Sequence, residues 1–248
     1  MYCVFAIWSG KAEGLSIKIP YLADKQLMDL NERLQGRGVL TDLLKSQEGD
    51  PFDKGTIIPE LDSSYKKNHY QYLFYVLTRM LLPKRIVEIG VLQGFSLLAM
   101  GCALKENGTG EIHAFDLFEK YEYKCDNFDD VASRVSEMEL EKLVTLHQAD
   151  ASSVATFIEE TDILHVDVSN DGQIVSEIFS QWENKTSQAM IFEGGSLERD
   201  KVQWMVEYDK KSLFDEFLEL SKNEPEWHFF TIHPFPSITI AVNGKYEP

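Results

Sequence analysis

Cysteines, runs of basic residues and long apolar segments are all scarce in this chain, and each scarcity excludes a class of protein. Cys3, Cys102 and Cys125 are an odd number without metal-type spacing, which argues against a disulfide framework and against a zinc site. No basic run occurs, and the formal net charge of −17 disfavours a surface that follows phosphates, so no nucleic-acid partner is expected. No apolar segment approaches the length of a membrane span, and the apolar first ten residues lack the basic start of a secretory signal. The sequence therefore predicts a cytoplasmic protein without a membrane partner.

The length of 248 residues accommodates one sizeable α/β domain, which would bury roughly 70–75% of its unfolded surface. Residues 1–63 are expected to be an N-terminal extension of lower regularity, with helical spacing of apolar residues at Tyr21–Leu34 and Leu40–Leu44. Residues 64–248 are expected to form the domain itself. The extension could cover a substrate pocket, pack on the domain or form a homo-oligomer contact, and these alternatives stay open.

One stretch, RIVEIGVLQGFS at Arg85–Ser96, carries most of the information about ligands. Arg85–Ile89 is a short apolar run that predicts a buried strand, and Phe95–Ala103 predicts a helix. Gly90 and Gly94 lie between them. A strand, a glycine turn and a helix in this order present backbone N–H groups to a ligand at the start of the helix.

The spacing of the glycines limits which ligand can bind. A dinucleotide fingerprint needs G-x-G-x-x-G, but Leu92 stands where its second glycine belongs. A phosphate-binding loop needs lysine and then serine or threonine after its last glycine, and Phe95 and Ser96 do not supply them. What remains is E-x-G-x-x-x-G beginning at Glu88. An acid at that position suits a positively charged ligand better than a phosphate.

Acidic residues follow the ends of the next predicted strands. The strand Glu111–Phe115 leads into Asp116, where a carboxylate can accept two hydrogen bonds from the vicinal hydroxyls of a ribose. The strand Ile163–Val166 leads into Asp167. Because ligands of open α/β sheets lie beyond the carboxyl ends of the strands, we expect Gly90, Asp116 and Asp167 around one crevice.

The remaining elements complete an alternating α/β pattern that closes with two strands. Trp227–Ile232 and Ser237–Val242 are joined by only four residues, which forces an antiparallel hairpin. A helix is predicted over Ser64–Leu82, with His69 and Tyr72 on one face. His69 and Tyr70 could face the active site; alternatively, the aromatic residues belong to the core and His69 lies at the surface. The further predicted elements are helices over Val131–Leu143, from Ser152, over Gln173–Glu183 and over Lys201–Ser221, and strands at Val144–His147 and Ala189–Phe192.

From about Ser64 to Val242 the sequence resembles the class I S-adenosylmethionine-dependent methyltransferases, and among them the small-molecule and sugar O-methyltransferases. The segments VEIGVLQGFS, AFDLFEKY, LHVDVSNDG and IFEGGS carry the resemblance. It implies a Rossmann-like three-layer sandwich whose seven-stranded, mostly parallel sheet has an antiparallel last strand. It also implies that S-adenosylmethionine is held by Glu88, Gly90, Gly94, Ser96, Asp116, Leu117, Asp150 and Ala151. For Asp150 a helix N-cap is an equal alternative.

The resemblance also bears on a metal ion and on the catalytic base. In relatives, acids after the fourth and fifth strands often bind a divalent metal; Asp167 and Glu193 match, whereas Ser169 and Gly194 replace two further acids. Mg²⁺ needs only one or two carboxylates with waters and substrate oxygens, so a magnesium site stays open. Asp167 is the first candidate for the base that accepts a hydroxyl proton, and His69 is the second.

Together these features predict an O-methyltransferase that acts on a hydroxylated small molecule, such as a sugar or a polysaccharide precursor. One alternative is a non-catalytic protein that keeps the fold for binding or assembly. The other is a dinucleotide-dependent oxidoreductase, against which Leu92 and the terminal hairpin argue.

Overall fold

The computed structural model describes residues 57–123 and 126–246. The helices predicted at 21–34 and 40–44, together with Cys3 and Cys125, lie outside these residues. The described helices are α1 Tyr70–Leu81, α2 Phe95–Asn107, α3 Phe128–Glu137, α4 Ala151–Phe157, α5 Gly172–Trp182, α6 Leu197–Asp200, α7 Gln203–Glu207 and α8 Leu213–Asn223, with short 3₁₀ segments at Ile58–Glu60, Ser64–Asn68 and Phe118–Lys120. None of them is long and apolar enough to cross a membrane.

Seven strands form one sheet in the order β3-β2-β1-β4-β5-β7-β6. They are β1 Arg85–Ile89, β2 Glu111–Asp116, β3 Val144–Gln148, β4 Thr161–Val166, β5 Thr186–Glu193, β6 Trp227–Ile232 and β7 Ile238–Asn243. The first five strands pair in parallel, and β7 is antiparallel to both of its neighbours. The predicted fold class and the predicted terminal hairpin are confirmed.

Two hydrophobic cores lie on opposite faces of this sheet, because successive strand residues point to opposite sides. Ile86 and Ile163 belong to the core that includes the buried residues of α1 and α2. Leu164 and Phe192 belong to the core that includes the buried residues of α5 and α8. The carboxyl ends of β1, β2, β4 and β5 therefore meet at one edge, where the predicted ligand residues lie.

Three predicted helices differ from the structure. The helix predicted over Ser64–Leu82 is divided at His69, whose left-handed backbone (φ 54°) ends the 3₁₀ segment Ser64–Asn68 before α1 begins. The single helix predicted over Lys201–Ser221 is wrong, because α6, α7 and α8 replace it. The helix predicted over Val131–Leu143 begins three residues earlier as α3 and ends at Glu137, after which Glu139 turns the chain at φ 57°.

Candidate active site

The glycine turn after β1 adopts a backbone that favours glycine. Gly90 has φ 90° and Gly94 has φ 88°, in the region that side chains disfavour, and Leu92 between them has φ 49°. A Cβ atom on Gly90 would lie 2.1 Å from the backbone oxygen of Asp167. Only glycine therefore allows the turn to lie directly against the end of β4.

Asp116 at the end of β2 holds this turn in place. Its Oδ2 atom accepts hydrogen bonds from the backbone N–H groups of Val91 (2.6 Å) and Leu92 (3.1 Å), and its Oδ1 atom accepts one from Phe118 (2.7 Å). The N–H group of Gly94 donates to the carbonyl of Val91 at 2.8 Å. The N–H groups of Val91, Leu92 and Gly94 thus bond within the protein and fix the shape of the turn. Ligand binding by the N–H groups at the start of the helix stays a prediction.

Glu88 is completely buried beneath the turn. Its Oε1 atom accepts a hydrogen bond from the Ser96 hydroxyl and lies 2.9 Å from Nδ1 of His165. Its Oε2 atom has no hydrogen-bond partner among the described residues. A carboxylate with an unused oxygen at this depth places negative charge below the turn, and this charge fits a positively charged ligand.

The hydrogen-bonded chain that starts at Glu88 continues to Tyr65, a residue that the sequence analysis did not select. Nε2 of His165 lies 3.4 Å from the Tyr65 hydroxyl. The imidazole of His165 therefore links the buried carboxyl group of Glu88 to the Tyr65 hydroxyl. The rings of Tyr65 and Phe74 meet edge to face with centres 5.2 Å apart, which fixes the tyrosine from the side of α1.

Asp167 and Glu193, at the ends of β4 and β5, form an acidic pair beside Tyr65. Burial and then the neighbouring charge of Glu193 hold the pKa of Asp167 well above its usual value. A hydrogen bond with Tyr65 and the charge of Arg199 act in the opposite direction. Burial, followed by the charges of the two acids, also raises the pKa of Tyr65 well above its usual value.

Glu193 is already well supplied with hydrogen-bond donors. Its Oε2 atom accepts from Nδ2 of Asn170 at 2.7 Å and from a guanidinium nitrogen of Arg199 at 3.2 Å, and its Oε1 atom accepts from the Ser64 hydroxyl at 3.4 Å. Among residues 57–123 and 126–246 no three His, Cys, Asp or Glu residues are placed to hold a metal ion. A divalent cation at Glu193 would meet the positive charge of Arg199, so the residues present do not fit the predicted magnesium site.

The residues predicted to surround the adenine lie at the ends of β2 and β3. Asp150 caps α4: its Oδ1 atom accepts from the backbone N–H of Ser152 at 3.0 Å, and the hydrogen bonds from Ser152 lower the pKa of Asp150. Ala151 is the first residue of that helix. The carbonyl of Leu117 accepts from the side-chain amide of Gln148 at 3.1 Å. The N-cap interpretation of Asp150 is confirmed, and its contact with adenine stays a prediction.

His69, the second candidate for the base, and His233 lie outside the sheet. His69 is exposed at the junction of Ser64–Asn68 and α1, while Tyr65 is the residue of that segment that reaches Asp167. His233, in the loop between β6 and β7, pairs with Glu198 at 3.8 Å. The structure therefore brings Asp167, rather than either histidine, next to the glycine turn.

The fold is similar to that of several known methyltransferases. Residues 87–191 match a family model described as a methyltransferase domain. None of the curated proteins that were compared matches the chain. The O-methyltransferase TomG from Streptomyces achromogenes, which is involved in tomaymycin synthesis and was solved with S-adenosylmethionine, has a TM-score of 0.60 at 18% identity, over 84% of this chain and 98% of its own.

Two further solved structures show the same likeness of fold. An O-methyltransferase from Bacillus cereus, in complex with S-adenosylhomocysteine, has a TM-score of 0.56 at 17% identity, over 91% of this chain and 93% of its own. The S-adenosylhomocysteine-bound methyltransferase PaMTH1 from Podospora anserina has a TM-score of 0.55 at 14% identity, over 92% of this chain and 98% of its own. Residues 87–191 therefore match a methyltransferase domain, and the fold of the chain is similar to that of O-methyltransferases solved with S-adenosylmethionine or S-adenosylhomocysteine.

Proposed function

We propose that the protein transfers the methyl group of S-adenosylmethionine to a hydroxyl oxygen of a small molecule. The observation that carries this proposal is the contact between the glycine turn and the acid at the end of β4. The backbone of Gly90 lies so close to Asp167 that no side chain fits between them. A methyl donor held at the turn and a proton acceptor on Asp167 would therefore be neighbours.

The described residues suit the cofactor. We assign the positively charged amino-acid end to the turn from Gly90 to Gly94 above the buried Glu88, where Ser96 orients the carboxylate. Asp116 is partly exposed, and each carboxylate oxygen has two lone pairs, so it can accept from ribose hydroxyls while it holds the turn. Leu117, Asp150 and Ala151 remain the proposed adenine contacts.

When bound, S-adenosylmethionine supplies an electrophilic methyl group on a positively charged sulfur. Asp167 would accept the proton of the attacking hydroxyl once it is ionised, and a carboxylate whose pKa is raised is then a stronger proton acceptor. Tyr65, held between His165 and Asp167, orients the carboxylate. A base of this kind contributes roughly 10²–10⁴-fold to the rate, and alignment of the acceptor oxygen contributes much of the rest. His69 stays the second candidate for the base.

For the acceptor we propose a hydroxylated metabolite, such as a sugar or a polysaccharide precursor. The net charge of −17 disfavours a nucleic acid, which is bound largely by Lys and Arg. TomG, one of the similar structures, is an O-methyltransferase involved in tomaymycin synthesis. Incubation with S-adenosylmethionine labelled at the methyl group, against panels of sugars, sugar nucleotides and phenols, tests this proposal. Labelling confined to phenols would refute the sugar class and keep the reaction type.

Calorimetric titration with S-adenosylhomocysteine is the experiment that tests the function itself. We expect micromolar affinity, with no heat from NAD⁺ in a parallel titration. Binding of NAD⁺ alone would favour the oxidoreductase. Binding of neither ligand would favour a non-catalytic protein of this fold. Asp167→Asn and His69→Ala then separate the two candidate bases, since only the loss of the base lowers kcat while the affinity for S-adenosylhomocysteine is kept.

A further inference from the structure

Arg199 lies in α6, after the turn at Gly194 and Gly195 that follows β5, and is a buried cation beside Glu193. We call this part of the proposed site its acceptor side. Only 7% of the surface of Arg199 is exposed. One guanidinium nitrogen donates to Oε2 of Glu193 at 3.2 Å, whereas Nε has no hydrogen-bond partner among the described residues. The guanidinium carbon lies 4.9 Å from the centre of the Trp204 ring and 5.7 Å from that of Phe235. A buried donor without a partner indicates that a ligand atom belongs there.

The backbone around Arg199 is fixed by buried hydrogen bonds. Its N–H group donates to the carbonyl of Ser196 at 3.0 Å and lies 3.2 Å from the Ser196 hydroxyl. Ser196 is fully buried, and its own N–H group donates to the hydroxyl of Ser237 next to β7 at 3.1 Å. The backbone that carries Arg199 is therefore tied to the start of β7.

The space beside Glu193 is also closed to another acid. A Cβ atom on Gly194 would lie 2.5 Å from a methyl carbon of Leu213, 3.5 Å from Cγ of Arg199 and 3.6 Å from Oδ1 of Asn170. A side chain at position 194 would therefore be strained by the backbone at φ 98° and would need Leu213 to shift. Glycine at this position disfavours the further carboxylate that a metal site would use.

We infer that Arg199 is the permanent cation of this active site and that it takes the place of a divalent metal ion. This inference rests on the proposed methyl transfer. Arginine stays charged at every relevant pH, and its planar group can donate to Glu193 on one side and to an acceptor oxygen on the other. The free Nε–H group binds and orients an oxygen of the acceptor, and Glu193 keeps the guanidinium in position. Methyl transfer then needs no divalent cation.

Binding of Mn²⁺, followed by electron paramagnetic resonance on the full chain, tests this inference without any measurement of activity. The wild type should bind no Mn²⁺ at the acid pair below millimolar concentration. Arg199→Met removes the competing charge, so Mn²⁺ should bind at least tenfold more tightly, and Asp167→Asn added to this variant should abolish the gain. Arg85→Met, which frees Glu111 at the opposite end of the sheet, is the matched control and should gain nothing.

Two results would overturn the role of Arg199. One is micromolar Mn²⁺ binding to the wild type that Asp167→Asn removes. The other is an Arg199→Met variant that binds S-adenosylhomocysteine normally but gains no Mn²⁺. If Arg199→Met does not fold, Mn²⁺ binding to the wild type and to Arg199→Lys still tests the inference. Arg199→Lys keeps the positive charge and should therefore exclude Mn²⁺ as the wild type does. Failure of the wild type to bind S-adenosylhomocysteine would instead overturn the proposed function and leave the Mn²⁺ result standing.

Discussion

Replacement of Asp116 by alanine should both destabilise the protein and remove the cofactor site, because one carboxylate holds the whole turn. Three backbone N–H groups, those of Val91, Leu92 and Phe118, lose their acceptor. Hydrogen bonds to a charged group contribute about 1.5–3 kcal/mol each, and water can replace part of the loss at this half-buried site, so we expect a cost of about 3 kcal/mol. For a chain of this size that lowers Tm by roughly 6–12 °C.

Asp162 offers a matched control at the other end of the same strands. Its Oδ2 atom accepts from the backbone N–H groups of Lys84 (2.6 Å) and Arg85 (3.0 Å), and its Oδ1 atom accepts from the Ser187 hydroxyl at 2.7 Å. The number and length of these bonds match those of Asp116. Asp162→Ala should therefore cost about the same stability, roughly 3 kcal/mol, while leaving the turn intact.

Urea denaturation and calorimetric titration with S-adenosylhomocysteine, run on both variants, separate the two effects. We expect similar losses of stability, but a loss of affinity of at least tenfold, about 1.4 kcal/mol, only for Asp116→Ala. Equal affinities in the two variants would refute the reasoning, since they would mean that the turn does not bind the cofactor. A much smaller loss of stability in Asp116→Ala would show that its three bonds are readily replaced by water.

Three further predictions concern the same site. Gly90→Ala should lower the free energy of unfolding by at least about 2 kcal/mol and should abolish the affinity for S-adenosylhomocysteine. Gly108→Ala is the control: at φ 69°, with no atom within 4 Å of the added carbon, it should lose about 1 kcal/mol and keep that affinity. Equal effects of the two substitutions would contradict the close approach of Gly90 to β4. Because the pKa of Asp167 is raised, the folded protein retains a proton that the unfolded chain releases as the pH rises above the usual carboxyl value. The stability that Asp167→Asn gains, measured by urea denaturation, should therefore grow from pH 5 to pH 8. A difference that stays constant with pH would contradict this. Tyr65→Phe should lower kcat on the order of tenfold with unchanged affinity for S-adenosylhomocysteine, and an unchanged kcat would show that Tyr65 does not orient the base.

The ends of β1 and β6 were predictable from the sequence because proline and glycine residues lie close to the apolar runs. β1 and β6 begin and end at the predicted residues, since short apolar runs are enclosed by Pro83 and Gly90 in one case and by Pro225 and Pro234 in the other. The acids after β2 and β4 were predictable for the same reason. They follow the last apolar residue of a strand, and parallel strands end at one edge of the sheet.

The helices after β5 were not predictable, because their breaks depend on contacts distant in the sequence. The apolar spacing continues through Tyr208–Lys211, where the structure has a turn with Asp209 at φ 48°. The carboxylate of Asp200 accepts from the backbone N–H groups of Leu213 (2.9 Å) and Phe214 (3.1 Å) and so helps to begin α8. A hydrogen-bond acceptor thirteen positions before its helix leaves no local pattern.

Tyr65 and Arg199 were missed for related reasons. Tyr65 gains its role from His165, a hundred residues further along the chain, and its own segment only suggests an aromatic core. Arg199 is six residues from Glu193, but the two meet only because Gly194 and Gly195 turn the chain with φ 98° and 99°. The pair of glycines was visible in the sequence, whereas the direction of the turn was not.

The insertion of β7 between β5 and β6 has a consequence for the order in which the protein is built. The parallel strands β1 to β5 are complete once residue 193 has been synthesised, but the outer edge of β5 has no partner until Ile238–Asn243 has left the ribosome. At 5–20 residues per second this delay lasts several seconds or more, and an open strand edge invites pairing with other chains. The turn that carries Arg199 closes in the same late step, because Gly194 and Ser196 bond to Ser237. A nascent chain would thus form the glycine turn after β1 well before the turn that carries Arg199, and in that interval chaperones would have most to protect.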